Sequence, residues 1–561
     1  MSRANEKAVN NSALWAAYGD ALGFITELVD SSGVKRRVHD TRVQHTVPWQ
    51  RLVGGKFGAT VQLPAGSYSD DTQLRLSTSR AIRSDGYFDV EAFAKIELPV
   101  WLSYSLGGGL STKAAANELT SANVAWFSNF FESKASNYFH GGGNGAAMRI
   151  QPHVWAASGQ KFGPTIVRDV VRNAVCTHGH IRAIAGAVFH AEVLSYCLTK
   201  REIPGPDVWH DLLNHLEEVN GVVHEDRELS SFWLPVWESR SHLTLDRALR
   251  EVKDECFRDI EIVSPLLDRS PEEAYEFALD AVGARARETR GSGTKTALIS
   301  LILAWLFRKD PPEKAIVTAA NSLGSDTDTI ATMAGAVLGA IALDEPRADL
   351  QDRSYISAEA KRLFQISIGQ SEASFEYPEV MNWRPPRVSL NVIAEHGETI
   401  TLSGLGPVEP ISELWQARKH DGTCWQWFRL RFGQTVLAKR RAKLLLAENS
   451  DSPSARMMEM MPPEPAITNQ PELFSRPSLP EHRSPLEVRS ENSGVQDQRS
   501  VDDLISEAIR SGFKEEMIGK HIVELAERSC GIELAVAYVS IIAKAKIARS
   551  QVSARRAESR S

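Results

Sequence analysis

The sequence predicts a mainly α-helical fold: one large helical domain over residues 1–380, then a small β-module, a disordered linker and C-terminal helices. Two observations carry the helical domain. Apolar residues recur at helical spacing in Ala92–Leu106, Ile166–Ala174, Ala183–Leu198, Ala274–Ala286 and Thr296–Leu306. Glycines and prolines punctuate these runs, and few segments alternate as strands do. A third observation marks where the domain ends. Near Tyr377-Pro378 and Arg384-Pro385-Pro386 the periodicity changes from helical to alternating.

Residues 383–447 hold the alternating segments SLNVIAEH, ETITLSGL, WQWFRLRF and QTVLAKRRAKLLL, with Gly397, Gly404, Gly406, Gly422 and Gly433 beside them. Alternation broken by tight turns reads as a small β-module. In it Trp415, Trp425, Trp427, Phe428 and Phe432 interleave with Arg429, Arg431, Lys439, Arg440, Arg441 and Lys443. That texture suits single-stranded nucleic acid or nucleotide, and equally a barrel core with a solvated basic face. Residues 448–500, rich in Pro, Ser, Glu, Arg and Asn, read as a disordered linker. Residues 501–550 carry apolar stripes at helical spacing and read as two or three amphipathic helices, able to dimerise or dock a partner.

Composition sets outer bounds. A chain of 561 residues has room for a large core and more than one domain. A net charge of −7 gives no global basic field towards nucleic acid. Cys176, Cys197, Cys256, Cys424 and Cys530 form no C-x-x-C pair and no disulfide framework, which fits a reducing cytoplasm. The polar start MSRANEKAVNNSALW lacks the apolar stretch of a signal peptide. The apolar runs Thr296–Phe307 and Ile330–Leu343 are too short to span a bilayer, so no membrane partner is expected.

Two acidic clusters carry the chemistry. Ser69-Asp70-Asp71-Thr72 and Asp326-Thr327-Asp328-Thr329 lie more than 250 positions apart, and each opens a run that reads as a helix. Asp and Thr are common helix caps, so either cluster alone is explained by capping. Two together suggest more. Adjacent carboxylates repel, and burying them is costly unless a cation neutralises them. An all-oxygen shell suits Mg²⁺, Mn²⁺ or Ca²⁺ rather than zinc.

Five landmarks then occur in order: GDALGFITE (Gly19–Glu27), SDDT (Ser69–Thr72), GNGAAMR (Gly143–Arg149), THGH (Thr177–His180) and GSDTDTIATMAGAVLGA (Gly324–Ala340). In that order and spacing the chain resembles the ADP-ribosylglycohydrolase family, over roughly 60–65% of its length, a span sufficient for a domain. The resemblance implies an orthogonal all-α bundle with two Mg²⁺ (or Mn²⁺) ions at the base of a cleft. Their implied ligands are Ser69, Asp70 and Asp71 with Asp326, Asp328 and Thr329. Glu27 matches the acidic residue that gates the substrate near the second metal, and Asp20 reads as a capping group. Gly143, Asn144, Gly145, Met148 and His178 would border ADP-ribose, as would Ser292 and Gly293. One of Tyr138, Phe139 and His140 would stack on adenine, unless all three simply pack, and Arg149 would touch phosphate or form a buried ion pair. The family more often has Thr at the position of Ser69 and Gly at that of Ser325.

The implied reaction cleaves the bond between ADP-ribose and a modified acceptor. Glu27, Asp71 and Asp326 are the candidates for activating water. The acceptor is an ADP-ribosylated protein, a nucleic acid or a small molecule. The other readings are a catalytically weak ADP-ribose-binding protein on the same fold, and a phosphodiesterase. The latter would need several His ligands that the clusters do not offer.

Overall fold

This computed structural model describes residues 2–446, apart from 134, 135, 371, 387 and 420. It also describes residues 501–526 and a few positions between 535 and 546. The predicted linker over 448–500 lies outside the described residues. The fold is mainly α, 54% helical.

The first helix, Ser2–Thr26, packs along its length on the helix Thr327–Ile341. The approach is so close that a Cβ at Gly23 would lie 2.4 Å from the Cα of Asp328. A glycine there lets the two backbones touch, which puts the end of the first helix beside the second acidic cluster. The apolar helices Ile181–Lys200 and Gly293–Leu306 pack on each other and on Thr327–Ile341 to form the centre of the core. Ile181–Lys200, which contains the predicted run Ala183–Leu198, is by length and composition apolar enough to cross a bilayer, and 89% of its apolar window is buried in this core.

The predicted helical runs form with shifted ends. Ile166–Ala174 lies within Pro164–Val175, and Ala274–Ala286 shortens to Pro271–Ala281, before the left-handed Gly283 (φ 72°). The helical region is not free of strands. Trp49–Val53 and Ala59–Leu63 form an antiparallel hairpin, with Arg51 opposite Val61.

The β-module has six antiparallel strands. Ile393–His396, Thr399–Leu402, Gly406–Pro410 and Thr423–Leu430 pair in order, and Thr423–Leu430 also pairs with Trp415–Gln416 and Thr435–Arg441. The N–H of Glu395 reaches the carbonyl of Leu445 (2.8 Å), so the chain folds back onto its first strand. Trp425, Trp427 and Phe428 are buried, and Phe432 packs on Tyr355. The aromatic texture of this segment is therefore packing.

The module is joined to the helical body by buried polar contacts. Arg80, wholly buried, pairs with Glu97 through two contacts (2.7 and 2.8 Å) and donates to Gln434 Oε1 (2.7 Å). Asp352 accepts from Tyr68 (2.6 Å) and from the N–H and hydroxyl of Thr435 (2.9 and 2.8 Å). Such groups have no water to fall back on, so the strand start at Gln434-Thr435 completes the hydrogen bonding that Glu97 and Tyr68 begin.

Described by itself, the C-terminal unit has helices Val501–Arg510 and Glu515–Ala526. Leu504, Ala508, Leu525 and Tyr538 form its core, and Tyr538 hydrogen-bonds His521 (2.7 Å).

Candidate functional site

Both acidic clusters begin helices, Asp70–Arg80 and Thr327–Ile341. Ser69 caps the first by accepting from the Asp71 N–H (3.3 Å). A second cap comes from the first helix: Asp20 accepts from the N–H groups of Ser69 (2.9 Å) and Thr72 (2.8 Å). Asp70 takes the N–H of Gly108 (2.7 Å). In the second cluster, Thr327 donates to the carbonyl of Gly23 (3.0 Å), and Asp328 accepts from the Thr329 N–H (2.9 Å). The clusters meet where the Thr329 hydroxyl lies 3.5 Å from Asp71 Oδ1, across 258 positions of sequence.

Burial and mutual repulsion then set the protonation. Asp70 is pushed up to about 7, first by burial and then by Glu27 and Asp20. Asp71 is raised well above the usual carboxylate range by burial, with Asp20, Asp70 and Asp326 adding to it. Asp328 is raised likewise by burial, then Glu27, Asp71 and Asp326. Carboxylates that hold protons because they are buried and crowd one another are groups a cation would relieve.

The residues fit a hard divalent cation in a further respect. Asp71 Oδ2 is buried with no hydrogen-bond partner. An orphaned carboxylate oxygen is costly, and a cation satisfies it. Among the described residues no three acidic, His or Cys side chains converge tightly enough to enclose an ion alone. An ion here would also draw on the Ser69 and Thr329 hydroxyls and on water, as Mg²⁺ commonly does.

The two predicted substrate loops lie side by side. Gly143 bridges Ser292, the Asn144 N–H reaches the carbonyl of Gly291 (2.8 Å), and the Gly293 N–H reaches that of Gly142 (2.9 Å). Asn144 joins these loops to the acidic cluster, donating to Asp326 Oδ2 (2.8 Å) and to Thr296 (3.1 Å). His178 stands against Gly145, where a Cβ would come within 2.9 Å of its ring. Its Nδ1 engages Thr177 (2.7 Å), and burial with nearby Arg149 lowers it to about 3, so the ring is neutral.

Other candidates are committed to the interior. Met148 is buried, and its carbonyl accepts from Arg75 (3.1 Å). Arg149 neither reaches the surface nor forms an ion pair. It donates to Asn173, Thr177 and the carbonyl of Gly145, which holds the glycine loop from behind. Tyr138 is buried and bonded to Val175 and Trp233, while Phe139 is half-buried and stacks on Phe130. His180 caps its own helix by accepting from the Arg182 N–H.

Glu27 lies one residue past the first helix, raised by burial although Arg51 opposes the shift. Arg51 pairs with it at 3.2 Å and covers Phe24 at 4.2 Å. The sequence reading missed Arg51, Arg75 and Lys113, whose positive charge lowers the pKa of Asp70. The alternation in WQRLVGGKFGATVQL around Gly54-Gly55 was the signal for the Arg51 hairpin. Nothing local in the sequence marks Arg75 or Lys113.

The chain matches the ADP-ribosylglycohydrolase family over residues 7–372. It belongs to that family. An uncharacterised protein of Archaeoglobus fulgidus is 22% identical over 64% of this chain and 97% of its own length. The uncharacterised protein YegU of Escherichia coli is 25% identical over 58% of this chain and 84% of its own. The ADP-ribosylhydrolase ARH3 of Gallus gallus is 26% identical over 49% and 70%. A solved ADP-ribosylglycohydrolase-related protein complex aligns with a TM-score of 0.41 at 20% identity, covering 65% of this chain and 99% of that one. Both acidic clusters lie inside the span that matches the family.

Proposed function

We propose that this ADP-ribosylglycohydrolase family member cleaves the glycosidic bond between ADP-ribose and a modified acceptor, with two Mg²⁺ or Mn²⁺ ions as cofactors. The observation that carries the reading is the meeting of the two acidic helix starts around Asp71, whose Oδ2 has no partner in the protein. Ser69, Asp70, Asp71, Asp326, Asp328 and Thr329 would hold the ions. Bound there, such ions would orient ribose hydroxyls and acidify a water molecule.

The chain's own groups do the rest. Asn144 ties Asp326, through Oδ2, to the glycine loop. The loops 143–145 and 291–293 present backbone next to it, where phosphate oxygens can approach without side chains in the way. Neutral His178 can hydrogen-bond the substrate through Nε2 without adding charge. Glu27, raised by burial against the pull of Arg51, can take a proton from water as it adds to C1″ of the ribose. The acceptor leaves with the bonding electron pair and takes up a proton, so free ADP-ribose is the product.

The test is release of ADP-ribose from ADP-ribosyl-arginine, ADP-ribosyl-serine and ADP-ribosylated DNA, each with Mg²⁺, Mn²⁺ or EDTA. Metal-dependent release lost in Asp326→Asn and Asp70→Asn, with the helical signal in circular dichroism retained, is the expected result. Release that persists in EDTA, or in both variants, would sink the metal assignment. ADP-ribose binding without release from any acceptor would instead identify a binding protein.

A further inference from the structure

One edge of the acidic site carries positive charge that the hydrolytic reading does not use. Residues 31–56 contain six Lys and Arg against one Asp, in a chain whose net charge is −7. The fold gathers this segment at Glu27. Arg37 donates to the carbonyls of Ile25 (2.7 Å) and Glu27 (3.2 Å) and covers Trp49 at 4.9 Å. Arg51 covers Phe24 and pairs with Glu27. Its Nη1 is buried with no acceptor, which points to a ligand that brings one. Lys35 and Arg36 are exposed on the short helix Ser31–Val38, in the same turn as Arg37. Arg37 is lowered to about 10 by burial, with Arg51 and Arg36 adding to it, so these cations feel one another.

The acceptor must satisfy this edge. A guanidinium acceptor would meet like charge, and an uncharged one would leave Arg51 Nη1 without an acceptor and the exposed Lys35 and Arg36 without a counter-charge. A polyanion matches them. Three of the four are arginines, whose planar donors suit phosphate. Phe57, 60% exposed at the turn of the same hairpin with Lys56 over its ring, offers a face for an unstacked base that an acidic peptide would not use.

We propose that the ADP-ribosylated acceptor of this enzyme is carried on single-stranded nucleic acid, whose phosphates lie along Arg51, Arg37, Arg36 and Lys35. The inference rests on the hydrolase reading and names its substrate class. Arg51 is then the specificity-determining residue, joining the phosphate track to Glu27.

The test uses the full chain and an unmodified, fluorescein-labelled DNA strand of about 20 nucleotides, followed by anisotropy from 50 to 200 mM salt. ADP-ribose binding is measured separately by calorimetry. Four phosphate contacts give a log–log salt slope of about −3. The K35E/R36E variant, checked for fold by circular dichroism, should weaken DNA binding at least about tenfold and flatten the slope by about 1.4. R51Q should weaken DNA more than ADP-ribose. ADP-ribose binding with no DNA binding, or DNA binding unchanged in K35E/R36E, overturns the proposal and leaves the hydrolase reading standing. A polyglutamate peptide of equal charge that binds as tightly as DNA also overturns it. DNA binding without ADP-ribose binding removes the hydrolase reading, and the acceptor assignment falls with it.

Discussion

The helix start at Ser69 is held by backbone donors, whereas the one at Asp326 is held by a side chain. Asp70 and the Asp20 cap take N–H groups of Gly108, Ser69 and Thr72. Behind them Tyr68, the residue before Ser69, is tied to Asp352 and so to Thr435 of the β-module. Asp326 depends instead on the amide of Asn144, which belongs to the glycine loop. Two motifs alike in sequence thus play unlike parts. The first is a fixed wall whose position the whole fold determines. The second reports on the loop that would hold the substrate, so loop order and carboxylate position are linked at Asp326.

Removing the wall's support gives the largest effect. A chain ending at residue 380 loses Gln434 as an acceptor for Arg80 and both donors that Thr435 gives Asp352, and leaves buried polar groups open. Each such group costs about 1–3 kcal/mol, enough together to exhaust the stability of an ordinary domain. That chain should not fold, while one ending at residue 447 should keep turnover of a small substrate nearly unchanged. A cooperative thermal transition in the shorter chain would break the claim that the β-module supports the first helix start.

Within the wall, Asp20→Ala should lower stability by about 2 kcal/mol, because two buried N–H groups lose their acceptor while Asp70 and Asp71 gain some relief from repulsion. Urea titration of the metal-free chain measures this. On the loop side, Asn144→Ala should leave stability within about 1 kcal/mol and lower turnover by about 10–100-fold, the usual effect of losing a ligand's outer partner. Equal stability losses in the two variants would erase the distinction between wall and reporter.

Sequence alone conveyed unequal shares of this site. The acidic clusters were legible because paired carboxylates at a helix start have few other uses, and the glycine runs because backbone approach leaves few other residue choices. Asp20 was legible as a cap, though nothing local says it caps a different helix. The Arg51 hairpin was written in WQRLVGGKFGATVQL and overlooked in a segment judged helical. Arg75 and Lys113 were not legible, since a cation under a carboxylate cluster is placed by tertiary packing and has no spacing rule. The β-module was recognised, but its dependence on Arg80 was hidden. A pairing between Arg80 and Gln434, 354 positions apart, leaves no periodic trace.

The smallest effect tests both helix starts at once, through pH. The Asp70 carboxyl is held up near 7 against an ordinary 3.8, by burial first and then by Glu27 and Asp20. The folded, metal-free chain therefore binds this proton more tightly than the unfolded chain. Its contribution to stability is complete below about pH 3.8 and is lost as pH rises towards 7. A divalent cation competes with the same proton. For one group titrating near 7, apparent affinity at pH 6 is about tenfold below that at pH 8, or about 1.4 kcal/mol. Mg²⁺ should thus raise Tm more at pH 8 than at pH 6, and Asp70→Asn should flatten the difference while lowering affinity at both. A pH-independent shift would mean that the ion does not displace the Asp70 proton, and the wall would then be a scaffold for Asp326 rather than half of a cation site.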